Sequence, residues 1–151
     1  VEAGVAEAMA QGGSSGYPVV DVRVAVVDGK HHSVDSSEMS FKMAGRLAFQ
    51  EALGGARCVV LEPVMAVEVT IPSECLGDVM GDLSSRRATV QGSELDRWGA
   101  QVISAMAPEA EMLRYSIDLR SITGGRGRFT AQHDHYSRMP AGVEVPAPPE
   151  G

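Results

Sequence analysis

Pro63-Val-Met-Ala-Val-Glu-Val-Thr-Ile-Pro-Ser-Glu-Cys-Leu-Gly-Asp-Val-Met-Gly-Asp-Leu83 changes its apolar period once, from two to 3.6. Met65, Val67, Val69 and Ile71 alternate with Ala66, Glu68 and Thr70, the pattern of a half-buried strand. Leu76, Val79, Met80 and Leu83 follow at i, i+3, i+4 and i+7, which places one apolar stripe on a helix. Downstream, Ala88 to Gln91 and Gln101 to Met106 read as strands, and Pro108 suits a first helical turn. Ala110, Leu113 and Ile117 are expected on the buried face of that helix. Gly124-Gly-Arg-Gly127 should end it, before a last strand from Phe129 to His135. The order β-α-β-β-α-β predicts an α+β fold of ferredoxin-like type, with an antiparallel sheet and both helices on one face.

Working outward, Glu62-Pro63 is the expected domain boundary, because proline interrupts a ladder and restricts its predecessor. Before it, Val1, Val5, Ala8 and Met9 have helical spacing, and Gln-Gly-Gly-Ser-Ser-Gly16 breaks that helix. Val19 to Val27 reads as a long strand and Cys58 to Leu61 as a short buried one. Between them Asp35, with Glu38 three residues on, is expected to cap a helix. That helix carries Met39, Met43 and Leu47 on one stripe, with Phe41, Ala44 and Ala48 beside it. The organisation expected is a partial domain over 1–62, a second domain over 63–139, and a flexible Pro-, Gly- and Glu-rich tail over 140–151.

The 151 residues carry a formal net charge of −7, so any contact with nucleic acid must come from local patches. Cys58 and Cys75 are the only cysteines, with no CxxC pair, and read as small hydrophobes in a reducing compartment. No apolar run approaches the ~20 residues that span a bilayer, and no leader pattern is present, so a cytoplasmic location is expected. Opening at Val1 within a helix, the chain reads as a fragment of something longer.

Lys30, His31 and His32 form a cationic cluster just before the expected cap. It is open to two readings, a solvated turn or contact with RNA phosphates and base edges. Arg120, Arg126 and Arg128 flank the glycine-rich turn, where backbone N–H groups can approach an anion. Arg86 and Arg87 end the first helix of the second domain, where cations oppose the dipole. His133 and His135 alternate along a strand and are expected on one face ~7 Å apart, short of the four ligands of a closed zinc site. No metal site and no catalytic residue are expected.

Gly16-Tyr-Pro-Val-Val-Asp-Val22, His32-Ser-Val-Asp-Ser-Ser-Glu-Met-Ser-Phe-Lys42, Leu61-Glu-Pro-Val-Met65, Asp82-Leu-Ser-Ser-Arg-Arg87 and Leu119-Arg-Ser-Ile-Thr-Gly-Gly-Arg-Gly127 together resemble translation elongation factor G or an elongation factor G-like paralogue, over about Val5 to Pro140. The resemblance implies a partial ribosomal-protein-S5-domain-2-like fourth domain followed by a ferredoxin-like fifth domain. It implies a tip, made of Lys30, His31, His32, Asp35 and Ser36, that enters the decoding site against tRNA and messenger during translocation. It implies rRNA contact through Arg86, Arg87, Arg120, Arg126 and Arg128. The ribosome is the implied partner, with no membrane involved. GTP and Mg²⁺ are implied for the parent only, in a nucleotide-binding GTPase domain upstream. No Gly-x-x-x-x-Gly-Lys-[Ser/Thr] motif occurs here, so no cofactor and no GTP hydrolysis are expected of this chain. A ribosome recycling or ribosomal protection factor, and a small-ligand-binding ferredoxin-like regulatory module, are the alternatives.

Overall fold

The computed structural model describes residues 1–13, 15–34 and 36–148. They divide into two compact units, Val1–Val60 with the tail from Pro140 onward, and Leu61–Met139.

The second unit follows the period change in its sequence. Strand β1 (Leu61–Pro72) leads through a 3-10 turn (Ser73–Cys75) into α3 (Leu76–Ser85). Then come β2 (Thr89–Leu95), β3 (Ala100–Pro108), α4 (Glu109–Met112), α5 (Tyr115–Thr123) and β4 (Arg128–Arg138). The sheet order is β2-β3-β1-β4, with every pairing antiparallel. This is the α+β, ferredoxin-like arrangement. Val67, Val69 and Ile71 of β1 and Ile103 and Ala107 of β3 form one apolar face. Val79 and Leu83 of α3 and Met112, Tyr115 and Leu119 of the later helices close over it.

Three details depart from expectation. Pro63 lies inside β1, and the division of the chain falls just before Leu61. The ladder to β3 starts at Val64, so Pro63 is bordered on the β4 side only, and its missing N–H breaks no bond to β3. The second helical region is two helices. Pro108 stands at the N-cap of α4, and α5 restarts at Tyr115. The buried stripe lies two positions on from the expected one: Met112, Tyr115 and Leu119 are buried, while Ala110, Leu113 and Ile117 are exposed. Finally, β4 carries a bulge. His133 pairs with Met65 but His135 pairs with Val64, leaving Asp134 as the extra residue. Consecutive β1 residues face opposite ways, so His133 and His135 lie on opposite faces. His133 instead stacks near Tyr136, with ring centroids 4.9 Å apart.

In the first unit α1 (Glu2–Gln11) packs against α2 (Glu38–Gly55). Asp35 lies outside the described residues. The cap of α2 is Ser37, whose Oγ accepts from Ser40 N at 3.1 Å. The Met39–Met43–Leu47 stripe is exposed, and the contact runs along Gly45 and Phe49 instead. The cause is close backbone approach. A Cβ on Gly4 would lie 1.9 Å from the Lys42 carbonyl oxygen, and one on Gly45 2.6 Å from that of Val1. An ion pair between Lys42 and Glu7 (3.0 Å) closes the crossing. Gly4→Ala is therefore expected to push the helices apart at a cost of about 2 kcal/mol. Faster hydrogen exchange of the α1 amides would show this, and unchanged exchange would refute it.

Val19 to Val27 forms no strand, and Cys58 is exposed rather than buried in one. The segment bends at Asp21, where φ is +57°, and Val22 to Val27 line, with Phe41, Ala44 and Ala48, a concavity of about 870 Å³. Val20, Val22, Val24 and Val26 are exposed. β-Branched residues favour extended backbone, but a ladder also needs a second strand, and among the described residues none runs beside this one. The tail reaches this unit too, with Tyr17 Oη donating to the Pro146 carbonyl at 3.1 Å.

Candidate functional site

The tip of the first unit is built by a short turn. His32 N donates to Ser36 Oγ at 2.8 Å, and Ser36 N donates to the His32 carbonyl at 3.1 Å. Ser36, which precedes the cap residue Ser37, is thus tied to His32 at the end of the Lys30–His32 cluster. All three cluster residues are exposed. The turn presents two imidazoles and an ammonium group to solvent immediately before a capped helix. Such a surface can hydrogen-bond phosphates and base edges.

In the second unit the five arginines separate into two groups. Arg86 and Arg87 turn inward. Arg86 Nε meets Asp82 Oδ2 at 2.8 Å, its Nη2 meets Asp118 Oδ2 at 2.5 Å, and its Nη1 donates to the Glu111 carbonyl at 2.8 Å. Its guanidinium also lies 5.1 Å from the Tyr115 ring centroid. Arg87 grips Glu62 with two bonds, 2.8 and 2.9 Å long, and reaches Glu111 at 3.1 Å. Glu62, aided by Glu111, raises the Arg87 pKa further still, against the opposing effect of partial burial. These N–H groups are spent on internal carboxylates, which gives both arginines a structural role in the unit. Helix-end position alone did not reveal this, because Glu62, Glu111 and Asp118 are remote in sequence.

Arg120, Arg126 and Arg128 are exposed. The glycine turn between them is a helix stop. Gly124 adopts φ +59°, Gly125 N donates to the Arg120 carbonyl at 2.8 Å, and Gly127 N donates to Thr123 Oγ1 at 2.8 Å. Arg126 N donates to the Thr123 carbonyl, so these backbone groups are occupied and do not form an anion nest. Arg126 pairs with Glu74 at 2.8 Å. Arg126 and Arg128 share a concavity of about 480 Å³ with Trp98. Trp98 did not stand out in the sequence; its only signal is a large aromatic in a polar Asp-Arg-Trp-Gly turn.

The glycine-turn N–H groups above are committed and Lys42 is paired with Glu7. Among the described residues no group of three or more His, Cys, Asp or Glu side chains is placed to hold a metal. Among them, too, no helix is long and apolar enough to cross a membrane.

Comparison with known proteins covers almost the whole chain. Residues 1–57 match the family model for elongation factor G, domain IV, and residues 59–144 match that for the elongation factor G C-terminus. A crystal structure of a protein from Thermus thermophilus superposes with a TM-score of 0.82 at 38% identity. The match covers 93% of this chain and 21% of that one, so the chain spans about a fifth of that protein's length.

Proposed function

Because the chain belongs to the elongation factor G family of translation factors, we propose that it is the ribosome-binding portion of a translational GTPase and that its tip enters the decoding site to promote tRNA–mRNA translocation. The observation that carries this reading is the exposed Lys30–His31–His32 cluster, tied by Ser36 at the head of a helix in the segment matching domain IV. On this reading the work is steric and electrostatic. GTP and Mg²⁺ belong to a part of the parent outside this chain, and the parent acts where ribosomes do, in the cytoplasm. Arg120, Arg126 and Arg128 are the rRNA-facing arginines of the second unit. Arg86 and Arg87 serve by holding its helices to its sheet.

The test is His32→Ala in the full-length parent, with single-turnover translocation measured beside single-turnover GTP hydrolysis. Loss of about 1.4 kcal/mol of tip contact slows translocation about tenfold and leaves hydrolysis near normal. Ser36→Ala is expected to give a milder form of the same defect, because it frees the loop without removing the imidazole. Equal slowing of both steps, or of neither, would make His32 an ordinary solvated turn residue.

A further inference from the structure

We propose that Trp98, Arg126 and Arg128 form a subsite for one unpaired RNA base and its phosphate, an inference that rests on the ribosome-binding reading above. Trp98 is 83% exposed. Indole is among the costliest side chains to leave in water, and here its position is built rather than incidental. Asp96 Oδ1 accepts from both Trp98 N and Ala100 N, each at 2.8 Å. Asp96 N donates to the Ala100 carbonyl at 2.8 Å, Gly99 N donates to the Asp96 carbonyl at 3.1 Å, and Gly99 takes φ +80°. The β2–β3 turn is therefore a closed hairpin tip that holds the indole outward. Arg97 lies over the indole, 5.7 Å from its centroid.

The turn overlooks the concavity that Arg126, Arg128, Thr70, Ser73 and Glu74 also line. Its volume of about 480 Å³ lies within the range of small-ligand sites. Arg128 stands at the start of β4, opposite Thr70. Arg126 Nε donates to the Thr123 carbonyl at 3.2 Å and its Nη1 meets Glu74, and since the Arg126 and Glu74 side chains are both more than half exposed, a phosphate can compete with Glu74 for the guanidinium. Asp96, the other carboxylate here, accepts two turn N–H bonds at Oδ1. A chain of net charge −7 thus gathers three arginines around a single projecting indole. An aromatic platform beside guanidinium groups suits a splayed-out base with its backbone phosphate, and a paired base presents no free ring face.

Trp98 is the chain's only tryptophan, so its fluorescence reports this site alone. Titration with single-stranded oligoadenylate is expected to quench it saturably, and more weakly as salt rises. Arg128→Ala should weaken that binding about tenfold, as should Trp98→Ala when followed by anisotropy of a labelled oligonucleotide. Both side chains are exposed, so circular dichroism should show both variants folded. Absence of quenching, equal quenching by inorganic phosphate or duplex RNA, or unchanged affinity in either variant would overturn the subsite. A parent that translocates normally while its oligonucleotide binding fails would lose this subsite and keep the ribosome reading. Quenching in a chain whose parent does not translocate would do the reverse.

Discussion

Tyr115→Ala is expected to destabilise the second unit by about 3–4 kcal/mol, near the range for emptying a buried aromatic site. Tyr115 is fully buried at the start of α5. Its ring meets Phe129 edge-on at 4.9 Å, and the Arg86 guanidinium lies 5.1 Å from its centroid. Truncation removes both ring interactions and leaves a cavity between α5 and the sheet. Tyr115→Phe separates ring from hydroxyl. Among the described residues the phenolic oxygen is buried without a hydrogen-bond partner. Losing it is expected to raise stability by about 1 kcal/mol. The pH dependence has a definite sign. Burial, with the nearby Asp82 charge, raises the phenol pKa above its ordinary value of 10.0. The unfolded chain then releases its proton first, so stability is full below pH 10 and falls as pH rises further. The phenylalanine variant should lack that part of the fall. Urea unfolding midpoints measure both changes; a phenylalanine variant as unstable as the alanine one would show that the hydroxyl contributes.

Glu62→Ala is expected to cost the same unit about 2–3 kcal/mol. Glu62 is 6% exposed and accepts two bonds from Arg87. Its removal strands a half-buried guanidinium that keeps only Glu111. Breaking a fully buried pair costs about 3–5 kcal/mol. The lower figure applies because about a quarter of the Arg87 side chain still meets water. Arg87 also holds φ +59° where α3 ends, so its side chain anchors a backbone conformation that few non-glycine residues adopt. Glu62→Gln keeps the shape and one acceptor oxygen and should lose less. A double-mutant cycle with Arg87→Met isolates the pair. An alanine variant within about 0.5 kcal/mol of the parent, an ordinary surface value, would mean that the pair is solvated.

The elements read best are those whose partners lie close in sequence. Met65 to Ile71 and Leu76 to Leu83 each declare a period, and one alternation and one stripe suffice to start a ferredoxin-like unit. The Leu119–Gly127 turn is legible for the same reason, since its carbonyls and N–H groups are satisfied within nine residues. In the second helical region Ala110, Leu113 and Ile117 and, two positions on, Met112, Tyr115 and Leu119 have the same i, i+3, i+7 spacing, so the sequence offers two stripes and only packing on the sheet selects the second. At the tip, the cluster at Lys30–His32 is plain in the sequence. The role of Ser36 as its tie is not, because a serine beside a helix start has several hydrogen bonds open to it.

By itself the sequence determined the α+β class, the order of elements in the second unit, the cationic tip and the family. These follow from local periods and from short motifs, which need no knowledge of distant contacts. Tertiary structure alone decided what each charge and each strand does. Arg86 and Arg87 resemble Arg126 and Arg128 as residues, yet the first two are absorbed by Asp82, Glu62, Glu111 and Asp118 and the second two are left at a surface. A single bulge at Asp134 puts His133 and His135 on opposite faces. Val19 to Val27 has strand composition and no ladder, whereas Pro63 has a ladder despite its ring. The reason is common to all of them: ion pairs and ladders are two-body interactions, and the second body is chosen by the fold.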